Sequence, residues 1–263
     1  MQKGRSTYLI FSQRHLGVIL LFTMCVIALF SFDEYGIGWD ELRQRETGMI
    51  NWRYIFSDDP GLLTYQDRDY GVAFELPLVM IEKTFNLTDT RDVYLMRHLV
   101  THLFFLLGAF FCFKLVDFLY QNKLLATVAF LLIVLHPRLY AHSFFNSKDI
   151  PFMSMFVICL YFNAIAFRKK TVNHFIVLGI SIGLLINLRI MGALLPCCIF
   201  LFLIVDAAKE KEYMHHLKLG LILLGTSAVV LYTTWPFYGP PPLNTLDKRL
   251  RTCLIFAGII RYC

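Results

Sequence analysis

What this sequence has least of is charge. Only 17% of its 263 residues are Asp, Glu, Lys or Arg, against about 25% in an average soluble domain. By contrast 57% are hydrophobic, more than a globule of this size can bury, so a soluble fold is excluded. Disorder is excluded too, because it needs low hydrophobicity and a large charge imbalance, and the formal net charge is only +6. The basic residues come in small groups between apolar runs rather than along one face, which leaves nucleic acid without a surface to bind. A glycine-rich phosphate loop of the Walker or dinucleotide type is missing, and nucleotide-driven transport loses its support with it. Metal-ligand and disulfide spacings are missing as well. Cys25, Cys112, Cys159, Cys197 and Cys198 all lie in apolar stretches, where a thiol behaves as a small hydrophobe.

Long apolar runs are what the chain has in abundance. A membrane span needs about 20 mostly apolar residues, with roughly 17 as the lower limit. Seven stretches qualify or come close: 16–32, 98–120, 124–140, 151–167, 174–188, 191–205 and 217–234. The first follows Lys3, Arg5 and Arg14 but lacks a small-residue cleavage site, so it reads as an uncleaved span rather than a signal peptide. If the spans alternate, the amino terminus (1–15), Lys123, Arg168-Lys169-Lys170, Lys209, Lys211 and Lys218 share one side, which the positive-inside rule makes cytoplasmic. The segment 33–97, the loop 136–150 and the short turn 188–190 then face outward. Within 33–97, the run Tyr70–Phe85 has Val72, Leu76, Val79 and Met80 at helical spacing with Glu75, Glu82 and Lys83, as expected for an amphipathic helix on the membrane surface. A second helix is expected over Leu42–Asn51.

Ionisable residues are costly to keep near a membrane, so several on one side suggest a polar cavity. The first group is Gly38-Trp39-Asp40-Glu41, with Asp33 and Glu34 nearby. A carboxylate there suits a general base, or alternatively the acids cap the next helix beside an interfacial Trp. The second group runs from His136 to Pro151 and brings Arg138, His142, Asn146, Lys148 and Asp149 into one outer turn together with Tyr140, Phe144 and Phe145. Arg138 and Lys148 suit an anionic head group; Asp149 before Ile150-Pro151 equally suits a helix cap. Arg189 stands alone between two spans, placed either to snorkel to lipid or to enter a cavity, and Arg97 opens the same two readings. His98 and His102 share a helix face, a spacing more often used for packing or a hydrogen bond than for metal. Asn86-Leu87-Thr88 is a glycosylation sequon, meaningful only in a secretory lumen.

Taken in order, Trp39-Asp40-Glu41, Tyr70-Gly71, Arg97-His98, His142 through Phe152, and Gly183 through Arg189 to Gly192 resemble the bacterial branch of the protein O-mannosyltransferase-like family, relatives of the aminoarabinose transferase that modifies lipid A. The likeness covers about 16–242, and Asn146–Phe152 is its most specific stretch. It implies an all-α polytopic membrane protein with a GT-C-like transmembrane helix bundle and a long first extracytoplasmic loop bearing amphipathic surface helices. It implies an inverting glycosyltransferase that takes a sugar from a polyprenyl phosphate, outside the inner (cytoplasmic) membrane, and gives it to a protein, lipid or glycan. On that resemblance Asp40 is the base, with Glu41 as helper or second choice. Lys148, Arg138 and Arg189 would hold the donor phosphate and Asp149 would orient them, while His142, Asn146 and Arg97 would line the substrate site. No cofactor and no divalent metal is expected, since fixed cations can stabilise a phosphate leaving group. Residues 243–263 do not read like the family, so the chain is expected to be a truncated amino-terminal module, active or inactive. The rival readings are a transporter or lipid-flipping protein, and a non-catalytic membrane scaffold; the first would show paired halves and helices broken near the midplane.

Overall fold

The computed structural model describes residues 2–57 and 59–237, and among them there is helix and no strand. The side chains of Lys3, Arg5 and Arg14 and the expected tail 243–263 lie outside the described residues. In chain order the helices are α1 (Gln2–Ala28), α2 (Glu41–Ser57), α3 (Gly61–Thr64), α4 (Glu75–Thr84), α5 (Thr90–Tyr120), α6 (Lys123–Val134), α7 (Pro137–Phe145), α8 (Asp149–Lys169), α9 (Val172–Leu188), α10 (Leu194–Glu210) and α11 (Tyr213–Thr234). A single 3₁₀ turn, Ile190–Ala193, leads into α10.

The helix ends follow local chemistry. Asp89 caps α5 by accepting from Arg91 N at 2.7 Å, and Asn122 caps α6 by accepting from Leu125 N at 3.1 Å. His136 Nδ1 accepts from Leu139 N at 3.3 Å to open α7, where Pro137 needs no amide partner. At their other ends α5, α8 and α10 stop at Gln121, Lys170 and Lys211, each in the left-handed region.

Two apolar clusters hold the bundle. One joins Phe105, Leu106 and Phe113 of α5 to Met24, Phe130 and Ile150; the other joins Ile158 and Cys159 of α8 to Phe175, Leu178, Ile182, Ile199 and Leu223. The tightest seam is α9 against α11. A Cβ on Gly179 would lie 1.8 Å from Thr226 Oγ1, and one on Gly183 would lie 2.7 Å from Val230 Cβ. These two glycines, four residues apart, let the backbones close, and Ser227 Oγ donates to Gly179 O at 2.9 Å across the gap.

Among the described residues four helices are long and apolar enough to cross a membrane, and the broken pair α6–α7 would make a fifth. The remaining apolar helices, His15–Ala28 and α9, are shorter. The expected span 124–140 is therefore not one straight helix: α6 ends at Val134, and α7 leaves at 61° because Pro137 cannot continue the ladder. For the same reason the expected loop 136–150 is mostly helix. The helix that carries the expected span 98–120 begins at Thr90, so the last residues of the segment 33–97 form its first turns. At 31 residues α5 is about 46 Å long, longer than a hydrocarbon core of about 30 Å, and Arg97 and His98 lie in its first turns.

On those first turns sits a platform of α2 and α4. The amphipathic helix forms over Glu75–Thr84, but its carboxylates face inward: Glu75 and Glu82 are buried while Met80 is exposed. Buried carboxylates need partners. Glu82 receives a two-pronged pair from Arg45 at 2.8 and 3.0 Å, and that hydrogen bond raises the guanidinium above its already high pKa. Glu75 receives Arg97 and the hydroxyl of Ser147, the latter at 2.6 Å.

Candidate functional site

The Arg45–Glu82, Arg97–Glu75 and Ser147–Glu75 cross-links gather at one end of the bundle, where α1, α9 and α11 finish and α5, α8 and α10 begin. The opposite end is fastened separately, by Lys170 on Asp206 at 2.9 Å and on Glu210 at 2.7 Å.

Two neighbouring clefts open at the first end. The smaller, about 160 Å³, is lined by Gly38, Trp39, Asp40 and Glu41 on one wall and by His142, Phe145, Asn146, Ser147 and Lys148 on the other. The larger, about 550 Å³, lies between Gln66–Gly71 of the outer segment and the bundle residues Asn187–Met191 and Trp235. Lys148 borders both clefts.

Each wall has a local cause. Glu41, the first residue of α2, folds its carboxylate back onto Gly38 N at 2.7 Å and reaches His98 Nε2 at 3.2 Å, so it is fully buried. That contact turns the neighbouring Asp40 outward, where it is exposed along the smaller cleft. Opposite, Asn146 Oδ1 accepts from Asp149 N at 2.8 Å and from Lys148 N at 3.3 Å, starting α8. Asn146 therefore does the capping expected of Asp149. Asp149 is left to pair with Arg189 Nη1 at 2.5 Å. Lys148 Nζ lies over the Tyr70 ring at 4.5 Å, a cation–π contact that holds the ammonium at the boundary of the two clefts.

The structure thus brings Asp40, Glu41, His142, Asn146 and Lys148 to one cleft and Lys148 and Arg189 to the next, with Asp149 on Arg189. Two of the expected substrate residues stand apart. Arg97 is fully buried on Glu75 beneath the platform and lines neither cleft. Arg138 is exposed on the first turn of α7 and also lines neither. His98 and His102 both serve packing between helices: His98 on Glu41, and His102 stacked on Phe144 at 4.1 Å with Nδ1 2.7 Å from Ser143 Oγ.

Polar and aromatic residues of the larger cleft that the sequence did not single out are Gln66, Asp67, Asp69, Asn187 and Trp235. Asn187 lay in a hydrophobic run where only its polarity marked it. Its Oδ1 accepts from Ala73 N at 2.8 Å and its Nδ2 donates to Thr234 O and Oγ1 at 3.1 and 3.0 Å.

The profile of a family described as dolichyl-phosphate-mannose-protein mannosyltransferase matches residues 84–232, more than half of the chain. The match takes in Lys148, Asp149 and Arg189 and begins after Asp40 and Glu41. No curated protein and no solved structure matches the chain.

Proposed function

Because the chain belongs to the dolichyl-phosphate-mannose-protein mannosyltransferase family, we propose that it carries a sugar from a polyprenyl-phosphate donor to an acceptor at the extracytoplasmic face of its membrane, Asp40 acting as base and Lys148 and Arg189 holding the donor phosphate. Membership itself makes it a multi-pass membrane glycosyltransferase. The observation that carries the finer reading is the place of Lys148, on the border between a cleft with a free carboxylate and a cleft with a second cation.

In this reading the acceptor enters the smaller cleft. Asp40 takes the proton from its hydroxyl or amine as the heteroatom attacks the anomeric carbon. The bond from that carbon to the phosphate oxygen breaks, and both its electrons leave with the lipid phosphate. The leaving phosphate gains one negative charge, so cations fixed beforehand near it favour the transition state over the ground state. Lys148 supplies a point charge at the boundary and Arg189 a planar fork, aimed by its pair with Asp149. A single displacement inverts the anomeric carbon. Glu41, occupied by Gly38 and His98, positions Asp40 rather than sharing its chemistry. The positive-inside rule supports the outward face, since the Lys-rich helix ends lie opposite the clefts.

The test is to give membranes holding the protein a polyprenyl phosphate bearing a radiolabelled sugar and to follow label into acceptor or water. The reading expects release by the chain, with the product's anomeric configuration opposite to the donor's. Membranes whose release matches those lacking the protein, or a product of retained configuration, would remove it.

A further inference from the structure

We infer that Asn187 is a positioning residue that fixes the outer segment against the end of α9 across the larger cleft, and with it the seat of the Lys148 ammonium relative to Arg189. The inference rests on the reading of that cleft as the donor site.

Four separate stretches of chain build the cleft: the outer segment with Tyr70 and Gly71, the start of α8 with Lys148, the turn after α9 with Arg189, and Trp235 after α11. Only packing and hydrogen bonds can hold such stretches in register. Asn187 is fully buried and meets three of the four. Its Oδ1 takes the Ala73 amide of the outer segment, and its Nδ2 goes to the last residue of α11, while its own backbone is the last turn of α9. The outer segment lies against it so closely that a Cβ on Gly71 would come within 1.9 Å of Asn187 O. Only glycine fits that approach.

The consequence falls on charge. Tyr70, next to Gly71, carries Lys148 on its ring, and Arg189 follows Asn187 by two residues, its amide bonded to Leu185 O at 3.2 Å. The tether from Ala73 to Asn187 therefore fixes the Tyr70 ring, on which the Lys148 ammonium is seated, relative to the turn that carries Arg189. A phosphate held by both cations needs that seat kept to a fraction of an ångström. An apolar side chain at 187 would fill the space but leave the Ala73 amide without its acceptor.

The variants separate positioning from packing. Asn187→Ala loses both tethers, whereas Thr234→Ala keeps the Asn187 acceptor for Ala73 and the Thr234 carbonyl and removes only the hydroxyl partner of Asn187. Gly71→Ala pushes the outer segment off from its own side and leaves the α9–α11 seam alone, so it carries the test if Asn187→Ala does not fold. Two measurements are made on the full chain in membranes or detergent: amide hydrogen exchange at Ala73, and KM and kcat for the polyprenyl-phosphate sugar. Asn187→Ala and Gly71→Ala should each speed exchange at Ala73 and raise the donor KM roughly tenfold, with kcat within about twofold. Thr234→Ala should stay near wild type in both. Wild-type exchange and KM in Asn187→Ala, or a Thr234→Ala variant as impaired as Asn187→Ala, would overturn the inference. A wild-type chain that transfers no sugar would count against the proposed function instead; exchange at Ala73, read without donor, would still support or overturn the tether.

Discussion

Arg97 shows how a side chain that looks available for substrate can be spent on architecture. It is a cation at the outer start of a span, yet the fold buries it completely on Glu75, whose other oxygen takes Ser147. Ser147 precedes Lys148, so the buried pair anchors the very segment that offers the boundary lysine. Removing one partner strands a charge. Arg97→Met is expected to destabilise the protein by about 3–5 kcal/mol, and adding Glu75→Leu should recover much of the loss, because an apolar pair can replace a buried ion pair. Thermal unfolding in detergent checks both; a double variant as unstable as the single would contradict the assignment. The same scale explains Asp40 and Glu41. Adjacent acids of like character take different surroundings, one turned onto Gly38 and His98, the other left along a cleft.

Helices were legible in this sequence wherever a long apolar run stood between polar turns: α8 and α9 lie within a few residues of the expected spans. The start of α5 at Thr90, behind the Asp89 cap, comes earlier than the expected 98 because hydropathy rises only after Arg97. The break between α6 and α7 was missed because hydropathy runs smoothly through Pro137, and only the backbone reports the 61° turn. The inward carboxylates of α4 were missed for a different reason: helical spacing identifies an amphipathic face, but not a charge whose partner, Arg97 or Arg45, comes from another element. At the α9–α11 seam the signal was present in Gly179 and Gly183, two small residues four positions apart inside an apolar run. Gly183→Val would drive a side chain into Val230 and Ser227 O. Such overpacking costs roughly 1–3 kcal/mol, with a matching fall in folded yield from membranes. A variant that melts like wild type would show the seam to be looser than its contacts imply.

For the molecule as a whole, the two polar ends differ in kind: one is a platform with clefts, the other a staple of Lys170, Asp206 and Glu210 beside Lys209 and Lys211. The clefts themselves were only half legible. Asp40, Lys148 and Arg189 stood out as ionisable residues at span ends, but the division into two clefts depends on Tyr70, Asn187 and Trp235 meeting from distant parts of the chain. Orientation is open to a simple labelling experiment. In a chain cleared of native cysteines, Trp39→Cys, at a position 97% exposed, should react with an impermeant maleimide in intact cells, and Lys211→Cys only after permeabilisation. The reverse pattern would turn the clefts toward the cytoplasm.

The account as a whole stands on Asp40 taking a proton from the acceptor while Lys148 and Arg189 receive the phosphate. Sugar transfer by Asp40→Asn in membranes supplied with labelled polyprenyl-phosphate donor measures this most directly. Loss of a general base predicts a fall of about 10²–10⁴-fold in kcat with donor binding and folding retained. A rate equal to wild type would contradict the account.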